Sequence, residues 1–320
     1  MSGIRRMLPD FEGAFVALVT PFKKGKVDYP KLRELVAFQL SSGMNGIVLC
    51  ATTGEAPTLS DAEKIRIIKQ TVRQVRGRIP VIVYTGSNDT RRTIEFTHIV
   101  QQLKVSAALV VVPYYNKPTQ EGMYRHFKAV AESVKLPIIL YNVPSRTVVS
   151  LTAETVSRLT GIKNIVAIKE ASGNFDEITR LKLLSDLSAE AQAGPPAGVK
   201  RRAGITILSG EDSITYPMLT LGAKGVISVV ANIIPREVAS MVQLHLNGLT
   251  DEARKLHYQI YPLARAMFIE TSPIPVKTAM KLLGRSNGEL RLPLTAMSPE
   301  NTAKLKTVLS RWTSGRIDYL

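Results

Sequence analysis

The sequence predicts a (β/α)8 barrel carrying a C-terminal helical subdomain, and three observations predict it. Eight short apolar, β-branched runs alternate with segments that carry helix signals. The runs are apolar enough to be buried on both faces, as the strands of an all-parallel sheet are. No Gly-x-Gly-x-x-Gly turn follows the first run, which argues against an open doubly wound sheet, and eight strand–helix units complete a closed barrel.

The runs are 15–22, 46–53, 80–86, 108–114, 137–143, 165–172, 205–210 and 225–232, each ending in a polar or glycine cluster. The first helix opens at Asp28 with Pro30 in its first turn, continues through Leu32, Leu35 and Val36, and stops at Gly43. Ser60-Asp61-Ala62-Glu63 reads as a capping box, with Ile65, Ile68, Val72 and Val75 on one face behind it. Thr119 and Thr152 cap later helices. The unit after the sixth run is the longest. It contains Gly194-Pro195-Pro196-Ala197-Gly198 and then Lys200-Arg201-Arg202, so 189–204 is expected to be an inserted, poorly ordered surface loop. Beyond Asn232 the chain reads as helical to its end, from Pro235 and then over 251–269, 275–283 and 299–313. The expected division is a barrel over 1–232 and a helical subdomain over 233–320.

Composition narrows the function. The 320 residues are 45% hydrophobic and 21% charged, and no apolar run reaches the roughly 18 residues a membrane span needs. The basic start has no apolar core of signal-peptide length behind it, so a cytoplasmic enzyme is expected. The single cysteine, Cys50, lies among Val48, Leu49 and Ala51 and reads as a buried strand residue. His98, His126, His245 and His257 show no ligand spacing, so no metal site is expected. The net charge of +16 is scattered, with one basic run of three and no interleaved aromatics, which disfavours nucleic acid and suits a field that steers anionic substrates.

Polar groups at the C-terminal strand ends of such a barrel are the first suspects for chemistry. Lys169 ends the apolar run Ile165-Val166-Ala167-Ile168. An amine there loses hydration, which favours its neutral, nucleophilic form, although a lysine snorkelling to solvent is the plainer alternative. Tyr141 ends the preceding strand, and adjacent strands lie about 4.8 Å apart, close enough for phenol and amine to share a proton. Thr52 and Thr53, before Gly54-Glu55, offer a hydroxyl and a turn that faces a carboxylate, or they simply cap the strand.

Together the blocks Thr20-Pro21-Phe22, Ala51-Thr52-Thr53-Gly54-Glu55, Pro113-Tyr114-Tyr115-Asn116-Lys117-Pro118, Tyr141-Asn142-Val143-Pro144-Ser145-Arg146-Thr147, Ile168-Lys169-Glu170-Ala171-Ser172-Gly173, Gly225-Val226-Ile227-Ser228-Val229 and Pro273-Ile274-Pro275-Val276-Lys277 make the chain resemble a known family. It is the pyruvate-dependent, Schiff-base-forming lyases, typified by dihydrodipicolinate synthase and N-acetylneuraminate lyase. The resemblance implies that Lys169 forms an imine with pyruvate, that Tyr141 is the acid/base, and that Thr52 and Tyr115 complete a proton relay. Tyr115 would be donated across a subunit interface. It implies further that Thr53 and the backbone around Ile227 grip the pyruvate carboxylate and that Gly210 lies beside the pocket. No cofactor is implied, and a homo-oligomer, dimer at least and tetramer by family habit, is.

Arg146 offers a planar fork for a carboxylate. It implies condensation of pyruvate with L-aspartate 4-semialdehyde, a step toward lysine and diaminopimelate. The alternatives are aldol cleavage of sialic acid, 4-hydroxy-2-oxoglutarate or a 2-keto-3-deoxy sugar acid, and, from another class, a basic binding protein on a barrel scaffold. Asn88 and Tyr114 match a lysine-effector site found in some members. Lys64 and Arg92 stand where lysine-sensitive members carry histidine and glutamate, so lysine inhibition is expected to be weak or absent.

Overall fold

The computed structural model describes residues 11–191 and 204–314. Eight parallel strands close a barrel: β1 (Gly13–Ala17), then, after a short antiparallel hairpin β2 (Phe22–Lys23) and β3 (Lys26–Val27), β4 (Gly46–Leu49), β5 (Val81–Tyr84), β6 (Ala107–Val111), β7 (Ile138–Asn142), β8 (Ile165–Glu170), β9 (Thr206–Ser209) and β10 (Gly225–Ser228), with β10 pairing back onto β1. The predicted fold class holds.

Alternate residues divide between two cores. Phe15, Val48, Ile82, Leu109, Ile139, Leu208 and Ile227 fill the barrel, while Val81, Val83, Val110, Leu140, Ile168 and Val226 face the surrounding helices. Each such side chain removed from water contributes about 1.5–3 kcal/mol. Where the barrel closes, a side chain at Gly225 would meet the Gly13 carbonyl oxygen at 1.9 Å, so β1 and β10 approach only because the position is glycine.

Strand register sets which residues share a level. Following the pairing from Tyr84 and rising two residues at every second strand leads to Tyr141, Gly210, Ala17 and back to Tyr84. The ring closes, as it does in a barrel of shear eight, where each layer takes one residue from each of four alternate strands. The layer one residue lower is Val48, Leu109, Lys169 and Ile227.

The helices around the barrel are α1 (Tyr29–Ser41), α2 (Asp61–Val75), α3 (Thr90–Gln101), α4 (Gln120–Ser133), a single turn α5 (Pro144–Thr147), α6 (Ala153–Thr160), α7 (Phe175–Ala191), α8 (Thr215–Thr220) and α9 (Pro235–Leu246). The sequence-marked starts hold. Asp28 accepts from the Lys31 amide, Ser60 and Glu63 form the capping box, and Thr119 and Thr152 cap α4 and α6. The helix α9 packs on β1 and β10, and α10 (Thr250–Ala266), α11 (Ile274–Leu282) and α12 (Pro299–Thr313) follow.

Several boundaries differ from expectation. The first strand stops at Ala17, not at 22: the Val19 amide donates to Asn232 Oδ1, Thr20 Oγ1 donates to the Gly54 carbonyl, and Pro21 has no amide to give. Cys50 is buried but lies beyond β4, at φ 53°. The last barrel strand ends at Ser228, because Asp212 takes the next two amides and 230–232 turn. On α2, Ile67 and Thr71 are buried with Ile68 and Val75, whereas Ile65 and Val72 are half-buried. The helix α7 runs to Ala191, three residues into the expected loop, and 192–203 lie outside the described residues. Residues 283–298 are not helical. They reach back to the barrel mouth, where Arg291 donates to the Gly25 and Thr58 carbonyls and pairs with Glu63.

Candidate active site

The parallel ladder of β7 and β8 pairs Tyr141 directly with Lys169. Both are buried, and Lys169 Nζ lies 4.2 Å from the centroid of the Tyr141 ring. The amine therefore sits over the phenol's π face and makes no hydrogen bond to its hydroxyl, which differs from the expected direct proton sharing. A cation–π contact of this kind offsets part of the cost of burying an ammonium.

Gly210 continues β9 past its paired residues and donates its amide to the Glu170 carbonyl at 2.7 Å. A methyl group there would meet Lys169 Cε at 3.0 Å and the Ala171 methyl at 2.6 Å. The lysine stem thus occupies the space a side chain at position 210 would need. Glu170, the next residue along β8, points out of the barrel. It accepts from Asn142 Nδ2 at 2.8 Å and from the Ser172 amide at 2.6 Å, and burial raises its pKa.

Above this level lies a cavity of about 290 Å3, lined among others by Thr52, Tyr84, Val111, Tyr114, Arg146 and Leu294. Thr52 stands at its wall, while Thr53 is buried behind it in a turn closed by the Glu55 amide on the Thr52 carbonyl at 3.0 Å. Ile227 is fully buried in the barrel interior, one layer down beside Lys169. Asp212 holds the chain just beyond it, accepting from the Val229 and Val230 amides at 2.8 and 2.9 Å. Burial pushes the Asp212 carboxyl up to about 6, against the pull of Ser228 and those amides.

Arg146 is carried on α5, whose start is fixed by Pro144, and its Nη2 donates to the Ser272 carbonyl at 3.2 Å. It lines the cavity and remains exposed. Tyr115 is placed apart: at φ 71° its backbone turns the side chain outward, and it is 88% exposed. The structure thus gathers Lys169, Tyr141, Gly210, Ile227, Thr52 and Arg146 at one barrel end and leaves Tyr115 exposed on the loop after β6.

Sequence reasoning missed two contributors. Tyr84 closes the apolar stretch Val81-Ile82-Val83 just as Tyr141 closes Ile138-Ile139-Leu140, and that repetition was the available signal. The C-terminal segment was the other, since Thr271, Ser272, Pro273, Pro293 and Leu294 also line the cavity. It is pinned there by Lys277, fully buried, which pairs with Glu55 and donates to the Glu289 carbonyl at 2.8 Å; Glu55 also accepts the Arg291 amide at 3.1 Å. Burial lowers the Lys277 pKa while Glu55 opposes the shift. Cys50 is no nucleophile, because burial pushes its thiol up to about 12. Among the described residues no cluster of three His, Cys, Asp or Glu could hold a metal, and no helix is long and apolar enough to cross a membrane.

The profile described as the Dihydrodipicolinate synthetase family matches residues 10–312. A 4-hydroxy-tetrahydrodipicolinate synthase of Geotalea daltonii is 52% identical over 302 residues, covering 94% of this chain and 99% of that protein. One from Aquifex aeolicus is 46% identical over 304 residues, covering 94% and 98%. Among solved structures, dihydrodipicolinate synthase from Aquifex aeolicus aligns at a TM-score of 0.87 with 45% identity, covering 95% of this chain and 98% of that one. The chloride-inhibited dihydrodipicolinate synthase from Acinetobacter baumannii, complexed with pyruvate, aligns at 0.87 with 41% identity, covering 96% and 99%.

Proposed function

The chain belongs to the dihydrodipicolinate synthetase family, and from that premise we propose how its residues condense pyruvate with L-aspartate 4-semialdehyde to give 4-hydroxy-tetrahydrodipicolinate, in lysine and diaminopimelate biosynthesis. Lys169 attacks the keto carbon of pyruvate, and Tyr141 protonates the departing oxygen so that water leaves and the imine forms. Loss of a methyl proton gives the enamine, whose carbon attacks the aldehyde. The amino group of the second substrate then displaces Lys169 from the imine carbon, closing the ring and freeing the enzyme. Thr53 and the backbone around Ile227 hold the pyruvate carboxylate, and Arg146 takes the carboxylate of the semialdehyde.

The observation that carries this reading is the buried Lys169 amine over the Tyr141 ring, in the room that Gly210 leaves. Thr52 passes protons between Tyr141 and Tyr115 of a second subunit. Tyr115, 88% exposed in the single chain, is the residue that calls for a dimer at least, with a tetramer as the family's form. We place the enzyme in the cytoplasm, where its substrates are made.

Borohydride reduction in the presence of pyruvate, followed by peptide mass mapping, tests the assignment. The expected result is a three-carbon adduct on Lys169 that is absent from Lys169→Met. An adduct on another residue, or an active Lys169→Met enzyme, overturns it.

A further inference from the structure

The layer above Lys169 is asymmetric. Its four members are Tyr84, Tyr141, Gly210 and Ala17, so two phenols stand on one side and two of the smallest residues on the other. Tyr84 stands across the ring from Gly210, and its side chain packs against the barrel-interior cluster that includes Tyr141. It also lines the cavity with Arg146 and Thr52. No intramolecular hydrogen bond engages its hydroxyl among the described residues.

We propose that Tyr84 is a specificity-determining residue for the second substrate: its ring bounds the space between Lys169 and Arg146, and its hydroxyl offers a hydrogen bond to the incoming aldehyde. The proposal rests on the Schiff-base reading, because it locates the enamine by Lys169. An aldehyde reacting there must extend between the enamine carbon and the Arg146 guanidinium, both of which have fixed places. The Tyr84 ring forms part of the wall of the cavity of about 290 Å3, together with Arg146. A longer polyhydroxylated aldehyde would need the volume the ring fills. Burial, reinforced by the neighbouring Tyr114 and Tyr141 phenols, raises the Tyr84 pKa and keeps the hydroxyl neutral, so it remains a donor throughout the working range.

The test compares wild type, Tyr84→Phe and Tyr84→Ala with pyruvate and two kinds of aldehyde, L-aspartate 4-semialdehyde and longer sugar aldehydes such as arabinose and N-acetylmannosamine. In Tyr84→Ala, kcat/KM for the semialdehyde falls by about tenfold or more, mostly through KM, while that for the long aldehydes rises. In Tyr84→Phe only the first effect appears. Borohydride trapping of pyruvate alone stays intact in all three, which separates this proposal from the Schiff-base reading: an untrappable wild type defeats that reading. Intact trapping with an unchanged ratio of semialdehyde to long-aldehyde kcat/KM in Tyr84→Ala overturns the role of Tyr84. If Tyr84→Ala does not fold, Tyr84→Leu carries the same comparison.

Discussion

Lys169 is useful because its surroundings leave it nothing else to do. Among the described residues no carboxylate pairs with it, since Glu170 points to the other side of the strand and spends its oxygens on Asn142 and Ser172. Asp212 is the opposite case, a carboxylate retained in the interior to accept the Val229 and Val230 amides just beyond Ile227. Its folded pKa of about 6 lies above its ordinary value of 3.8. The native state therefore binds more protons than the unfolded chain between those values, and this residue's contribution to stability falls as pH rises through that window. Urea unfolding of wild type and Asp212→Asn at pH 4 and pH 7 measures it. The wild type should lose about 2 kcal/mol relative to the variant between the two conditions. A difference that does not change with pH refutes the assignment.

Single elements owe their positions to partners remote in sequence. The turn after β4 puts Glu55 in a left-handed conformation, at φ 55°, where it can meet Lys277 at the start of α11. Removing one member of such a pair leaves an uncompensated buried charge, so the barrel mouth and the C-terminal helices are fixed to one another. At the N-termini of α2 and α3, Asp61 pairs with both Lys64 and Arg92. Glu95 also reaches Arg92, at 4.0 Å, and the cations Lys64 and Arg92 at this surface repel the two ammonium groups of free lysine. Titrating lysine into the assay at neutral pH should leave the rate unchanged, and a low-micromolar inhibition constant refutes this.

Over the molecule the charge of +16 is scattered along the sequence. Part of it lines a groove between α1 and α2, where Arg33, Arg66, Lys69 and Arg73 project on the outside of the barrel. A field of that kind acts at long range on the anionic keto acid, pyruvate, and leaves the covalent steps alone. Raising ionic strength from about 0.01 M to about 1 M shortens the Debye length from about 30 Å to about 3 Å. Steady-state kinetics over that range should show kcat/KM falling several-fold with kcat nearly constant. Salt-independent kcat/KM disposes of steering.

What the sequence determined by itself was whatever local chemistry dictates. Eight apolar runs became eight barrel strands, Asp28, Ser60, Thr119 and Thr152 capped their helices, and Lys169 and Tyr141 stood in direct register on adjacent strands, each one residue before its strand's end. Strand ends were overrun at Ala17, Leu49 and Ser228 because apolar composition continues where backbone amides have already turned to side chains such as Asn232 and Asp212. Tertiary structure alone decided that Tyr84 joins Tyr141 in one layer, that 283–298 fold back over the cavity, and that Lys169 lies over a ring and not against a hydroxyl. These depend on the shear with which the sheet closes and on contacts between residues far apart in sequence, and neither is encoded in the pattern of any one segment.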